Sequence, residues 1–206
     1  MSRSIDYYFS LISPFAYLGH LTFLAVAQKH GARITYKPVN VLDVFKTSGA
    51  LPLPQRPPSR QAYRLIELQR IADLRQLPLT LKPKHFPTDP SFANAATAAI
   101  VAADGNPDRF MFAVFQALWV HELDISDEAV IRALLLACEH DPGTVLAAAG
   151  SQAMQEHIEA NTQDAIASGA LGTPTYVLDG EPFWGQDRIE YLDQALSSGR
   201  GPYQAV

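Results

Sequence analysis

Apolar and polar positions change period several times along the chain, and each change marks an element. Residues 5–9, IDYYF, are aromatic and β-rich, which predicts a strand. From Pro14 the pattern turns helical, with Phe15, Leu18, Leu21 or Phe23, and Val26 on apolar faces. Lys29-His30-Gly31 then supplies a basic last turn and a stopping glycine. Residues 33–41, RITYKPVNV, alternate as a second strand. Strand, helix and strand in that order predict a βαβ unit with parallel strands.

The middle of the chain has another character. Eight of the 15 prolines fall between Pro52 and Pro90, implying ordered irregular loops around one helix. That helix, RQAYRLIELQRIADL, spaces Tyr63, Ile66, Leu68, Ile71 and Leu74 at near-helical intervals. Beyond Phe92 the chain is alanine-rich, and helices are predicted over about 92–104, 107–120, 126–138 and 151–168. Finally, GTPTYVLDGEPFWG predicts two short strands joined by an Asp179-Gly180 hairpin turn, and DRIEYLDQAL a last helix. A βαβ half and a ββα half therefore flank a long helical block.

Composition narrows the function. The 206 residues are 48% hydrophobic and 18% charged, as in an ordinary globular protein with a real core. A net charge of -5 argues against a nucleic-acid surface or a basic membrane anchor. No stretch approaches the roughly 20 apolar residues of a bilayer span. The N-terminus lacks the pattern of a secretory signal, so a cytoplasmic location is expected. Cys138 is the single cysteine, which excludes an internal disulfide and a CxxC redox pair. Any thiol chemistry must use a thiol from outside the chain.

Hydrolase, P-loop and dinucleotide-binding motifs are absent, as is any HExxH pairing among the six histidines, and no metal is expected. Ser13 stands at the predicted strand-to-helix turn. Followed by Pro14, it is a favourable helix cap. The same position carries free backbone N–H groups and the positive end of the helix dipole, which stabilise a thiolate. Cap and reactive centre are both open readings. Thr173-Pro174, before a predicted strand, reads as an ordinary strand start or as a cis bond offering its backbone to an extended peptide. Asp187-Arg188 reads as a helix start or as the partner of an ammonium group.

DYYFSLISPFAYLGH and GTPTYVLDGEPFWGQDRIEYL together resemble the 2-hydroxychromene-2-carboxylate isomerases, a family close to kappa-class glutathione transferases and DsbA-like oxidoreductases. FKTSGALP, PSRQAYRLIELQRIA and WVHELDIS extend the likeness over nearly the whole chain. The resemblance implies an α/β, thioredoxin-like fold with a large all-helical insertion domain. The thioredoxin-like domain would comprise 1–42 and 168–206, and the helical domain 43–167. It also implies glutathione as cofactor, with Ser13 hydrogen-bonding its thiol and favouring the thiolate. Thr173 and Pro174 would pair with the glutathione backbone, and Trp184, Gly185, Gln186 and Asp187, with Arg188 beside them, would meet its γ-glutamyl end. Lys46, Gln55, Arg56 and His85 match substrate-contacting positions, although each also reads as a surface group. Ala50 and Arg60 depart from the family's usual asparagine and lysine, on the substrate side.

The function so implied is isomerisation of an aromatic, carboxylate-bearing chromene in aromatic-compound catabolism. The thiolate adds, the ring opens, a bond rotates and glutathione is eliminated. A kappa-like transferase or peroxidase is the nearest alternative, and a non-catalytic peptide-binding protein the second. A homodimer is implied by the resemblance alone.

Overall fold

A computed structural model describes residues 3–204 of the chain. Strand β1 (Ser4–Phe9) runs parallel to β2 (Arg33–Pro38) on one side and antiparallel to β3 (Thr175–Leu178) on the other. Strand β4 (Glu181–Trp184) adds the outer edge, giving the order β2-β1-β3-β4. The β3–β4 turn is Asp179-Gly180, both at positive φ (52° and 88°), which suits a tight hairpin.

Helix α1 (Pro14–Lys29) makes the crossover between the parallel strands. Its start and stop are local chemistry. Ser13 caps the first turn, Pro14 occupies the position that needs no N–H donor, and Lys29 sits in the last turn. Asp193 then clamps that end to the last helix, accepting from Lys29 at 2.8 Å and lying 2.5 Å from His30 Nε2. The last helix, α9 (Ile189–Ser198), follows a 3-10 turn over Gln186–Arg188.

Alternation along β1 divides the core. Ile5, Tyr7 and Phe9 join the larger cluster, where Tyr7 packs on Phe23 at 4.7 Å and on Tyr176 at 5.2 Å between ring centroids. Tyr8 points the other way, into a smaller cluster with Val39, Val44, Ala165, Ala170 and Val177. Seven helices stand between β2 and β3: α2 (Val41–Ser48), α3 (Pro58–Arg75), α4 (Ser91–Ala102), α5 (Asp108–Trp119), α6 (Glu128–Ala137), α7 (Pro142–Ala149) and α8 (Gln152–Ala167). Helix α4 is buried continuously from Ala93 to Ile100, because its alanines let neighbours approach on every side. One core cluster thus runs from the sheet into these helices without interruption.

Three expectations need correction. The second strand ends at Pro38, not at residue 41, because Asn40 accepts from Leu42 N–H at 3.2 Å and caps helix α2. Helix α7 is an addition, and its signal was present in Asp141-Pro142, a capping carboxylate followed by proline. On α3 the near-helical series does not mark one buried face: Leu68 and Ile71 are buried, whereas Tyr63, Ile66 and Leu74 are exposed.

The open end of β1 and β2 is held by side chains from α4 and α8. Buried Asn94 accepts from Leu11 N–H at 3.0 Å and donates to Val39 C=O at 3.4 Å. Asn161 donates to Pro38 C=O at 3.4 Å, and Thr162 accepts from Asn40 N–H at 3.0 Å. These bonds take the place of ladder partners just beyond the strands, where buried backbone groups would otherwise be unsatisfied. Asn94→Ala strands the Leu11 N–H and the Val39 C=O, and urea denaturation should show a loss of roughly 1–3 kcal/mol.

A second consequence concerns acid. His20, enclosed by Tyr7, Phe112 and Phe115, has its pKa pushed from 6.5 down to about 4 by burial, with nearby Asp108 opposing. The unfolded chain therefore binds this proton first, so the contribution of His20 is complete above about pH 6.5 and is lost as pH falls toward about 4. His20→Phe should flatten the stability profile across that window, measured as urea midpoints against pH.

Candidate active site

Strand β1 delivers Ser13 through a turn closed by Ser13 N–H donating to Ser10 C=O at 2.9 Å. The Ser13 hydroxyl then serves two partners. It accepts from Ala16 N–H at 3.2 Å, as a cap, and donates to Thr173 C=O at 3.1 Å. The Thr173–Pro174 bond is cis, and Pro174 C=O accepts from Gly185 N–H at 2.9 Å. Strands β3 and β1 thereby bring Thr173 and Ser13, 160 residues apart in sequence, into direct contact.

Around this pair stands an aromatic wall. A Cβ added at Gly172 would lie 3.1 Å from both Phe45 Cε1 and Trp184 Nε1, so glycine lets the two rings close more tightly over the segment before Thr173 than a larger residue would. Trp184 itself is half-exposed. Gly185 has φ 103°, and a Cβ there would collide with Asp187 Oδ1, which shows the carboxylate folded back over this residue. Asp187 is exposed and pairs with Arg188 at 2.7 Å, and the Arg188 guanidinium lies over Tyr191. Gln186 turns inward: it is buried, packs against Gly19, and its Oε1 lies 3.4 Å from Arg75 Nη2. Trp184 and Arg188 also line an outer groove of about 670 Å³ with Tyr191, Arg200 and Tyr203.

The sequence candidates on the other side are more scattered. Lys46 is largely in solvent and pairs with Asp43 at 2.5 Å. Gln55 is exposed at the end of a 3-10 turn (Leu53–Gln55). Arg56 donates to Leu51 C=O at 2.7 Å and lies over Phe45 at 5.6 Å, which ties it to the Gly172 wall. His85 Nδ1 faces Asp124 Oδ2 at 3.6 Å. Hydrogen bonds from Thr88 and Ser126 hold that carboxylate down to about 2. Among the described residues no group of three or more His, Cys, Asp or Glu is disposed to hold a metal ion.

Sequence reasoning passed over Arg64 and its aromatic neighbours. Arg64 lies over Phe15 at 5.9 Å and over Phe86 at 5.6 Å. Burial, with repulsion from Arg56, lowers its pKa to about 10. Arg56 is likewise lowered, by burial and then by Arg60. The signal in the sequence was the spacing of Arg56, Arg60 and Arg64, which repeats every fourth residue and continues onto one face of α3.

Comparison with known proteins adds relatives. The model of the DSBA-like thioredoxin domain matches residues 4–197. A 2-hydroxychromene-2-carboxylate isomerase from Sphingobium xenophagum is 28% identical, over 95% of this chain and 99% of its own. Glutathione S-transferase kappa 1 from Caenorhabditis elegans is 24% identical, over 93% of this chain and 90% of its own. A solved 2-hydroxychromene-2-carboxylate isomerase superposes with a TM-score of 0.79 at 25% identity, covering 95% of each chain.

The arrangement at Ser13 can stabilise negative charge on a sulfur atom through a hydroxyl donor and the positive end of α1. Ser13→Cys tests that field without any ligand. The introduced thiol should titrate well below the usual value of about 8.5, followed by the ultraviolet absorbance of its thiolate. Cys138 does not interfere, since burial pushes its thiol up.

Proposed function

The chain belongs to the DSBA-like thioredoxin domain family, and from that premise we propose that it is a glutathione-dependent isomerase of 2-hydroxychromene-2-carboxylate-type substrates. The observation that carries this reading is Ser13, at the α1 N-terminus and bonded to the cis Thr173–Pro174 segment. A chain with a single, distant cysteine has no redox pair to place there. The donor set suits glutathione. The Ser13 hydroxyl meets the sulfur, the Thr173 backbone meets the peptide, and the exposed Asp187 carboxylate meets the α-ammonium. Trp184, Gly185 and the backbone of Gln186 enclose the same end, with Arg188 orienting Asp187.

Glutathione, when bound, supplies a thiolate that adds reversibly to an electrophilic carbon and leaves unchanged. The chain's own residues do the rest. Ser13 turns its hydroxyl hydrogen from Thr173 C=O to the sulfur, favouring the thiolate while the α1 end contributes field. Phe45 and Trp184 hold water away from the reacting atoms. The arginines of α3 supply the positive charge that an aromatic carboxylate requires, in a protein acidic overall. A cytoplasmic setting, where glutathione is kept reduced, fits the same reading.

A kappa-like transferase is the alternative, favoured by the similarity to the kappa-class enzyme, and it shares the thiol site. Turnover of 2-hydroxychromene-2-carboxylate with and without glutathione tests the proposal. Glutathione-dependent isomerised product is expected, and a stable thioether would overturn it in favour of transfer. Glutathione should also raise the melting temperature, and no rise would leave only a peptide-binding scaffold. Ser13→Ala should reduce kcat/KM on the order of tenfold to a hundredfold and move its acid limb to higher pH, as expected for a lost thiolate donor.

A further inference from the structure

Arg64 carries a charge that the protein does not neutralise. Six of the eleven arginines pair with a carboxylate, whereas Arg33, Arg56, Arg60, Arg64 and Arg75 have none among the described residues. Half-buried Arg64 forms no ion pair and no hydrogen bond to any described residue; its neighbours are Phe15 and Phe86. Arg60, one turn earlier on α3, is exposed and equally without an acidic partner among the described residues. Three guanidinium groups accumulate here in a chain of net charge -5. Like charges on one face repel one another, so their unrelieved repulsion is a standing cost.

Stacking does not use up what Arg64 can offer. A guanidinium meets aromatic rings through its flat faces, while its five N–H donors radiate in its plane. Neither ring contact takes up these donors, and no described residue accepts from them. The edge of the guanidinium fits a carboxylate bidentately.

The cluster is also tied to the reactive end of the fold. Phe15, beneath Arg64, is two residues beyond Ser13. Phe45, beneath Arg56, closes over Gly172, the residue before Thr173. The two other candidates on this side offer less. The charge of Lys46 is answered by Asp43, and His85 stands beside the Asp124 carboxylate, which repels an anion.

We infer that Arg64, supported by Arg56 and Arg60, binds the carboxylate of a planar aromatic substrate, with Phe15, Phe45 and Phe86 against its ring. This rests on the isomerase reading for the identity of the substrate class. It makes Arg64 a substrate-binding residue, and leaves the α-ammonium and thiol of glutathione to Asp187 and Ser13.

Isothermal titration calorimetry of the full chain, without glutathione, tests it using 2-naphthoate and its neutral analogue 2-naphthamide. The wild-type protein should prefer the carboxylate, and Arg64→Gln should bind it roughly tenfold or more weakly, as for a lost charged hydrogen-bond pair. Its affinity for the amide should stay as in the wild type. In a separate titration, Arg64→Gln should bind glutathione with wild-type affinity. Equal binding of 2-naphthoate by the variant and the wild type overturns the inference. So does a wild type that fails to distinguish acid from amide, or a loss that falls on glutathione instead. If Arg64→Gln fails to fold, Arg64→Lys decides, since it keeps the charge but loses the planar fork. Several-fold weaker naphthoate binding is expected, and unchanged affinity counts against the inference. Arg64-dependent naphthoate binding by a protein that ignores glutathione upholds the arginine site while removing the glutathione reading.

Discussion

The bond from the Ser13 hydroxyl to Thr173 C=O joins the two ends of the chain at the point where the site is built. Its own strength is modest, about 1 kcal/mol net for a neutral hydrogen bond. Its importance is geometric. Tyr8 pairs with Thr175 across β1 and β3, so the residues just beyond each strand must emerge side by side. The Ser13 bond fixes how they emerge, with the hydroxyl shared between a helix cap and a neighbouring carbonyl. Asn94 holds the same loop from behind through Leu11 N–H, so a helix of the insertion sets the position of a side chain in the sheet's first loop. The insertion and the sheet are one construction, joined through a single core cluster.

Much of this was legible because its causes are local. A serine before a proline caps α1, and Asp179-Gly180 turns the hairpin, and neither needs a distant residue to explain it. The central strand was legible for a related reason, since IDYYF carries enough aromatic surface to be buried on both faces. The omissions have physical causes too. Helices α2 and α7 have only eight residues each, too short to establish a period, although Asn40 and Asp141 announce them. On α3, apolar residues occupy several faces, and only packing against α1 decides that Leu68 is inside and Leu74 outside. Arg64 is the clearest case. Its spacing was on the page, but the rings of Phe15 and Phe86 come from elements distant in sequence, and they turn a surface arginine into a half-buried one.

Charge across the site is polarised. Asp187, paired with Arg188, lies just before the last helix on the β4 side, while Arg56, Arg60 and Arg64, without carboxylate partners among the described residues, lie on the α3 side. Ser13 and the positive end of α1 stand with Thr173 at the end of the sheet, between these two groups. Under the proposed reading this separation keeps two anionic ligands from competing for the same cations. The tripeptide has its own partner for its ammonium group, and the aromatic carboxylate has the arginines. Partial burial strengthens the second interaction by reducing the screening that makes exposed ion pairs weak.

The absence of cysteine at this helix start decides what the field there can do. A thiolate that belongs to the chain is fixed in place and cycles between reduced and oxidised states. A hydroxyl cannot be oxidised in that way, but it donates a hydrogen bond to sulfur brought in by a ligand. The dipole of α1 acts on either sulfur, because its field does not depend on which molecule carries the charge. What differs is entropy: a borrowed thiol must be ordered on binding, and each contact along the ligand offsets part of that loss. Thr173, Trp184 and Asp187 are therefore as much a condition of the proposed thiol chemistry as Ser13 is.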